Sequence, residues 1–569
     1  MRGIFNSIKE INFDYMFKNG TIMLTTLTII YNLIGPHYIM VAFPLTLIVT
    51  IIKRQNLKIG LYSKTLKITI ICIVIVIVSF IGGLNIYTGI VINLIGIFTL
   101  MFTIISPYNI NFYKPYIMLY VFVQYIIHGY TELILAICTV IIGSLCVILL
   151  SSVFNYRKGS IALGSGFNSI LDTFIEIINC KLNKKDINKH YLKLNNLMYS
   201  LSYNVYISRH KKYLGTALSD QTYSLHILFK ELEYLILDNN MKSYDDVKEI
   251  LIYKNIIIDM SRYVDGKISF RDLEVSIKRY KKSTNRLLKG MKIFTYISKA
   301  INNIMIIPKK DLHRINKEVS RGEYDRFKSI LKMDYKARAI RYRFSLRMAI
   351  TLTISLFLAE YLEFYKIIWG VITILSILQP YYEETLERTK ERVKGNVMGI
   401  IVTGIVLNIS HSKVVAFSIL VISLYMIFAY KNYYRLSIFT AIASMSISSI
   451  VESVNVLIVY RLGYVFIGVI VVIVVNKYLF PYKLSMGISD LTRKILYYNR
   501  ILIIQSIENA NNADNYNYIR DLITQITLYN QKLFIRNQNI EDINISCFIN
   551  LNERWITGIG YYAYEKKWG

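Results

Sequence analysis

Hydrophobic residues are concentrated in two regions of the chain, residues 21–153 and 344–481, and each region is a series of apolar segments separated by short polar ones. A helix needs about 20 apolar residues to cross the hydrocarbon core of a bilayer, and several of these segments are shorter. We predict six membrane-spanning helices in each region. The predicted spans are 21–34, 37–52, 66–83, 87–105, 115–128, 133–153, 344–360, 366–380, 396–410, 414–430, 437–451 and 461–480.

The start of the first region allows two interpretations. Gly35 and Pro36 interrupt an otherwise continuous apolar stretch. They can form a tight turn between two spans, or they can kink a single long, tilted helix over residues 21–52.

The regions 154–343 and 482–569 are polar, and their apolar residues recur at intervals of three to four positions. This spacing is typical of amphipathic helices, so we predict a helical domain in each region. Residues 1–20 carry charges and have no cleavage site, which predicts a retained N-terminus. The predicted fold class is therefore all-α: a polytopic membrane protein with about twelve transmembrane helices in two six-helix halves, plus helical cytoplasmic domains.

The distribution of basic residues predicts how the chain is oriented in the membrane. Lys and Arg cluster after the second, eighth and tenth spans, whereas the loops on the opposite side are almost free of them. Positive charges flanking short loops are retained in the cytoplasm, so both termini and the polar domains are predicted to be cytoplasmic. Two halves that both begin on the inside have the same orientation, and such halves are related by an axis along the membrane normal.

Composition excludes several classes of protein. Of 569 residues, 54% are hydrophobic and 18% are charged, which is too apolar for a soluble or disordered chain of this length. Five cysteines and seven scattered histidines predict no disulfide and no metal site. No P-loop, HExxH or CxxC motif is present, so we predict no cofactor, no ATP-driven pump and no enzyme.

One stretch of the second hydrophobic region carries a recognisable motif. Its pattern of Trp, Thr, Gln-Pro, Thr, Arg-x-x-Gly and Gly occurs at Trp369, Thr373, Gln379, Pro380, Thr385, Arg392, Gly395 and Gly399. This pattern resembles that of the fusaric acid resistance proteins and aromatic acid exporters, although their arginine-glycine motif usually continues with Thr, where this chain has Asn396. Arg461, Gly468 and Pro481 match a second motif, and Arg347 fits the start of the seventh span.

The resemblance implies export of small organic anions, including aromatic carboxylic acids, across a bacterial inner membrane. It extends distantly to the plant aluminium-activated malate transporters, whose anion pathway is lined by arginines. On that analogy Arg392 and Arg461 would bind the anion, with Trp369 and Gln379 as further substrate-binding candidates. An arginine inside a membrane needs a partner or a water-filled cavity, and its planar group suits a carboxylate.

Each of these candidates also has a structural interpretation. Arg461 can extend to the interface, Arg392 can lie in a cytoplasmic loop, and Trp369 can anchor the chain at the interface. Gly395 and Gly399, one turn apart, and Gly468 are predicted to let neighbouring helices approach closely. Proton coupling would need an acid in the pathway; Glu360 and Glu452 are the candidates, and solvated loop carboxylates are the alternative.

The predicted partners are membrane lipids and a small organic anion. For the oligomeric state two alternatives stay open: two parallel halves can supply a two-fold arrangement within one chain, or two chains can form a homodimer. A basic run in the first polar region predicts contact with anionic headgroups or simple solvation, and no nucleic acid. Its members are Lys278, Arg279, Lys281, Lys282, Arg286, Lys289 and Lys292. A passive anion channel and a non-transporting scaffold or sensor are the alternative functions.

Overall fold

The computed structural model is helical throughout the residues that it describes. These residues hold 21 α-helices and two short 3-10 helices, and no strand, which confirms the predicted all-α class. The described ranges are 13–54, 61–105, 110–155, 161–210, 216–239, 243–282, 288–306, 339–363, 366–410, 412–430, 432–450, 452–508, 516–538 and 540–568. Part of the predicted N-terminal segment and some basic loop residues, such as Lys58 and Lys431, fall outside them.

The chain divides into two compact units. One, the apolar unit, consists of Met1–Arg157 and Tyr324–Gly487; the other, the polar unit, consists of Lys158–Glu323 and Ile488–Gly569. Each unit is thus built from two separate stretches of the sequence.

Six helices form the first half of the apolar unit: α1 (Phe13–Leu33), α2 (Ile39–Arg54), α3 (Leu61–Gly83), α4 (Ile86–Ile104), α5 (Lys114–Ile126) and α6 (Tyr130–Asn155). The ambiguity at Gly35 is resolved in favour of two helices. Gly35 has φ +132°, a conformation that L side chains rarely adopt, and a 3-10 turn, Pro36–Tyr38, follows it. This left-handed glycine ends α1 and sends the chain back as α2.

Six more helices form the second half: α13 (Ile340–Leu362), α14 (Ile368–Ile377), α15 (Tyr382–Ser410), α16 (Lys413–Ala429), α17 (Tyr433–Ser448) and α18 (Val454–Tyr478). Within the described residues, five helices of the apolar unit are long and apolar enough to cross a membrane: α4, α6, α13, α15 and α18. The chain is therefore a multi-pass membrane protein.

The two halves pack against each other reciprocally. The fourth helix of the first half, α4, lies along the first helix of the second half, α13, and Phe98 and Tyr342 meet edge to face between them with ring centroids 5.7 Å apart. Likewise α16, the fourth helix of the second half, lies along α1, where the Thr21 and Tyr425 hydroxyls are 3.1 Å apart. Two equivalent pairs are the pattern that a two-fold axis between the halves produces.

The polar unit is a bundle of amphipathic helices. They are α7 (Ile161–Leu182), α8 (Asn188–His210), α9 (Thr216–Asp238), α10 (Tyr244–Val264), α11 (Phe270–Lys282), α12 (Leu288–Ile306), α19 (Leu484–Glu508), α20 (Tyr516–Asn537) and α21 (Ile543–Trp568). The first four residues of α19 belong to the apolar unit. Ser243 and Asp246 form a capping box that fixes the start of α10, since each side chain accepts a backbone N–H of the other.

A buried ionic cluster lies inside the polar unit. The ammonium group of Lys230 on α9 is 3.1 Å from the Glu233 carboxylate and 3.4 Å from that of Glu553 on α21. It also donates to Asn195 Oδ1 at 3.0 Å. His226, one turn before Lys230, is buried, and its Nε2 has no hydrogen-bond partner in the part of the chain that the structure describes. Burial, reinforced by repulsion from Lys230, lowers the pKa of His226 to about 3.

This histidine predicts an acid-sensitive polar unit. Because the pKa of His226 falls from about 6.5 unfolded to about 3 folded, its contribution to stability is complete above pH 6.5 and is lost as the pH falls towards 3. We expect a loss of about 2 kcal/mol at pH 5. Amide hydrogen exchange in α9, corrected for the intrinsic exchange rate, would measure this acid-induced loss of stability. The His226→Asn substitution should abolish the loss. An equal pH dependence in both proteins would contradict this assignment.

Candidate functional site

The candidate site lies in the second half of the apolar unit, where a short helix is followed by irregular backbone. Helix α14 has ten residues and a length of about 15 Å, half the thickness of a bilayer core. The backbone leaves the helix at Leu378, since a proline at position 380 disfavours helical dihedral angles at Gln379. The next helix, α15, has 29 residues and is about 44 Å long, so the predicted charged loop and span form one continuous helix.

Arg347 holds this irregular backbone. Its guanidinium group, 1% exposed, donates to the carbonyl oxygens of Gln379 and Pro380 and to Asn476 Oδ1, the last at 3.2 Å. The Gln379 side chain folds back, and its amide donates to the Leu378 carbonyl at 2.9 Å. Arg347 and Gln379 therefore both stabilise the break after α14, and the structure does not bring the Gln379 amide to either candidate arginine.

The first half of the chain also contributes to this break. Tyr113 donates its hydroxyl to the Leu378 carbonyl at 3.3 Å, and the Lys114 ammonium group donates to the Ser376 carbonyl at 3.4 Å. Positive charge near the last carbonyls of a helix is favourable because the helix dipole is negative at that end. Sequence analysis missed both residues; the only feature of the sequence that marks them is a lysine at the start of an apolar segment.

Arg461 on α18 is buried, at 3% exposure. Its Nε donates to Asn396 Oδ1 on α15 at 3.3 Å, and the guanidinium group lies 5.1 Å from the centre of the Trp369 ring, a cation–π contact. Within the described ranges it forms no ion pair with a carboxylate. Arg461 thus lies inside the helix bundle, and Trp369, itself buried, lies beside it.

Arg392 lies inside α15 and is 4% exposed, so it does not occupy a solvated loop. Its Nη1 donates to Thr440 Oγ1 on α17 at 3.2 Å, and its buried Nε has no hydrogen-bond partner among the described residues. Arg392 repels Arg461 and also Lys114 electrostatically, and none of the three forms an ion pair with a described carboxylate. The three residues concentrate positive charge in the interior of the apolar unit.

An uncompensated buried cation is costly. Removing an ionic group from water costs several kcal/mol unless an opposite charge and hydrogen bonds offset the loss. In the polar unit, Lys230 meets two carboxylates. Among the described residues, Arg461 and Arg392 meet neutral oxygens and an aromatic ring and no carboxylate. An anion bound beside these two guanidinium groups would supply the missing opposite charge.

The glycines of the motif lie where helices come closest. A Cβ atom on Gly395 would collide with Ser437 Oγ and would lie 2.9 Å from the Tyr434 carbonyl oxygen. A Cβ atom on Gly399 would lie 2.8 Å from Ala441 Cβ. These contacts join α15 to α17. On α18, a Cβ at Gly468 would lie 2.9 Å from the Thr373 side chain of α14. The absence of side chains at these positions allows the helices that carry Arg392 and Arg461 to pack tightly.

We expect Gly395→Ala to destabilise the protein by about 1 to 3 kcal/mol, because the added methyl group forces α15 away from α17. Gly463→Ala on α18 is the matched control. Its Cβ would meet nothing within 4 Å, and alanine favours a helix over glycine. Thermal unfolding of the purified proteins in detergent would measure both changes. Equal midpoints for the two variants would contradict the close-packing role of Gly395.

The two candidate acids lie apart from the arginines. The Glu452 carboxylate is 2.8 Å from the Lys366 ammonium group, which in turn lies 5.1 Å from the centre of the Trp369 ring. Glu360 is partly buried near the end of α13 and interacts electrostatically with His128. The structure therefore connects Glu452 with the site through Lys366 and Trp369, and among the described residues Glu360 forms no ion pair with either arginine.

The run of basic residues between Lys278 and Lys292 belongs to the polar unit. Lys278 and Arg279 are exposed on α11, while Lys289 and Lys292 pair with Glu231 and Glu565, each at 3.3 Å. Arg286 lies outside the described residues. Contact of this run with lipid headgroups stays a prediction.

Comparison with known proteins identifies part of the chain. Residues 353–475, about a fifth of the sequence, match the family model described as fusaric acid resistance protein-like. This match confirms the resemblance inferred from the motifs, and it contains Trp369, Arg392 and Arg461. No curated protein and no solved structure matches the chain.

Proposed function

We propose that this chain, whose residues 353–475 form a fusaric acid resistance protein-like domain, exports small organic anions across a bacterial inner membrane past Arg461 and Arg392. The observation that carries the proposal is the pair of buried guanidinium groups without a described carboxylate partner. A transported carboxylate would provide the opposite charge and accept two parallel N–H bonds from a guanidinium group. The anion would cross the membrane chemically unchanged.

Aromatic carboxylates are the proposed substrate class. The Trp369 ring lies against Arg461, so a flat ring and an attached carboxylate would meet an aromatic surface and a cation side by side. The description of the matching family, which names resistance to an aromatic acid, supports the same class.

The proposal includes twelve spans with both termini in the cytoplasm. The described residues hold six helices in each half of the apolar unit, and six crossings would return the chain to the side on which it began, which supports two halves of equal orientation. Helices α14 and α5 are too short to cross alone.

Proteoliposomes loaded with radiolabelled benzoate at pH 7.5 would test the proposal, with protein-free vesicles to subtract passive leakage of the acid. We expect efflux that depends on the protein and responds to an imposed pH gradient. Protein-dependent currents without pH dependence would instead indicate a passive channel. Efflux no faster than that of protein-free vesicles would contradict transport of this substrate class and favour the scaffold or sensor hypothesis.

A further inference from the structure

Asn396 connects the two candidate arginines. It lies one turn after Arg392 on α15, is completely buried, and faces Arg461 of α18. Its Nδ2 donates to the Arg392 carbonyl at 2.8 Å, and its Oδ1 accepts the Nε–H of Arg461 at 3.3 Å. The side chain that departs from the resembled motif is thus the hydrogen-bond partner of the arginine on the neighbouring helix.

The chemistry of its partners fixes the orientation of this amide. A backbone carbonyl can only accept a hydrogen bond, and a guanidinium group can only donate. The amide nitrogen of Asn396 must therefore face Arg392 and its oxygen must face Arg461, because a flipped amide would place donor against donor and acceptor against acceptor. Asn396 consequently holds the guanidinium group of Arg461 in one orientation.

The contact uses one edge of the guanidinium group and leaves another available. Arginine has five N–H donors, of which Nε carries one and the two terminal nitrogens carry four. The described residues offer those terminal nitrogens of Arg461 no acceptor. Two parallel N–H groups at this edge match the two oxygens of a carboxylate. The amide oxygen is neutral, so the positive charge of Arg461 remains uncompensated.

We propose that Asn396 is a positioning residue that presents Arg461 to the substrate carboxylate without neutralising its charge. This inference rests on the proposed function, and it adds the requirement that the Nε acceptor be uncharged. An aspartate at position 396 would have nearly the same shape but would form an ion pair with Arg461 and compete with the substrate. A leucine would keep the charge of Arg461 and remove its orientation.

Tryptophan fluorescence can follow binding at this site directly. The chain has three tryptophans, and replacing Trp555 and Trp568 by phenylalanine leaves only Trp369, which contacts Arg461. Benzoate would be titrated into this purified protein in detergent at pH 7.5. We expect Asn396→Asp to raise the dissociation constant of benzoate at least tenfold, and Asn396→Leu to raise it about three- to tenfold. Asn396→Thr should stay within threefold, because its hydroxyl is a neutral acceptor.

Two controls separate positioning from general damage. Asn408→Asp makes the same chemical change on the exposed part of α15, where Asn408 contacts Asn455, and should leave benzoate binding unchanged. In the Arg461→Gln protein, titrated to higher benzoate concentration, adding Asn396→Asp should change the dissociation constant less than twofold, since its effect acts through Arg461. If Asn396→Asp still raised the dissociation constant tenfold in the Arg461→Gln protein, Asn396 would have a structural role that does not depend on Arg461, and the inference would be overturned.

The outcomes distinguish this inference from the proposed function. If benzoate binds the Asn396→Asp and Asn396→Leu proteins as tightly as the parent, Asn396 does not position Arg461, and the proposed transport stands. If the aspartate variant does not fold, the leucine variant alone is used: a raised dissociation constant supports the positioning role of Asn396, and an unchanged one contradicts it. If the parent protein itself neither binds nor transports benzoate, both the function and the inference are wrong.

Discussion

Arg461→Gln should reduce benzoate efflux from proteoliposomes by roughly 10- to 100-fold, the largest functional effect that we expect from a single substitution. Glutamine removes the positive charge and the parallel pair of N–H donors, while it can still fill much of the space beside Trp369. A charge-assisted hydrogen bond in a site shielded from water contributes about 1.5 to 3 kcal/mol, which sets this range.

Lysine at position 461 should give an intermediate rate, because it keeps the charge but lacks the planar fork. Arg271→Gln, at an exposed position of α11, makes the same chemical change in the polar unit and should leave efflux unchanged. If Arg461→Gln transported benzoate as fast as the parent, the anion would not pass this guanidinium group.

Arg347→Met should destabilise the protein by about 3 to 5 kcal/mol, the largest loss of stability that we expect, since each of three buried acceptors loses a donor at a cost of about 1 to 3 kcal/mol. Methionine fills part of the volume but leaves the carbonyl oxygens of Gln379 and Pro380 and the Asn476 amide oxygen buried without the donor that they share. The unfolding midpoint in detergent would report this loss. Transport should fail as well, because the backbone between α14 and α15 would no longer be held.

Arg343→Met, four residues earlier on α13, provides the comparison. Arg343 is partly exposed, and its bond to the Pro481 carbonyl is 3.4 Å long, so its loss should cost about 1 kcal/mol or less. Similar midpoints for the two variants would show that Arg347 is not the main support of the break after α14.

The local pattern of the sequence predicted the helices but not the tertiary contacts between them. Apolar segments and amphipathic spacing depend on neighbouring residues, so the all-helical class could be predicted, and the motif around Arg392 sufficed to recognise the family that residues 353–475 match. The alternatives at Gly35 stayed open, because glycine before proline fits both a kink and a turn. Only the backbone dihedral angle decided between them.

The site depends on contacts that periodicity cannot show. Lys114 and Ser376 are 262 positions apart, and Asn396 and Arg461 are 65 apart, so only tertiary packing brings each pair together. Gln379 illustrates the converse. Its place in a motif made it a substrate-binding candidate, yet its side chain bonds with the adjacent backbone, a short-range alternative that the sequence equally allows.

The reciprocal packing of the halves has a consequence for biosynthesis. Thr21 on α1 and its partner Tyr425 on α16 are separated by 404 positions, so at ordinary rates of translation α16 emerges from the ribosome roughly 20 to 80 s after α1. During that interval lipid or an insertion chaperone must cover the face of α1 that contains Gly20, against which the Tyr425 ring later packs. A nascent chain truncated before α16 would therefore be a natural substrate for membrane quality-control proteases.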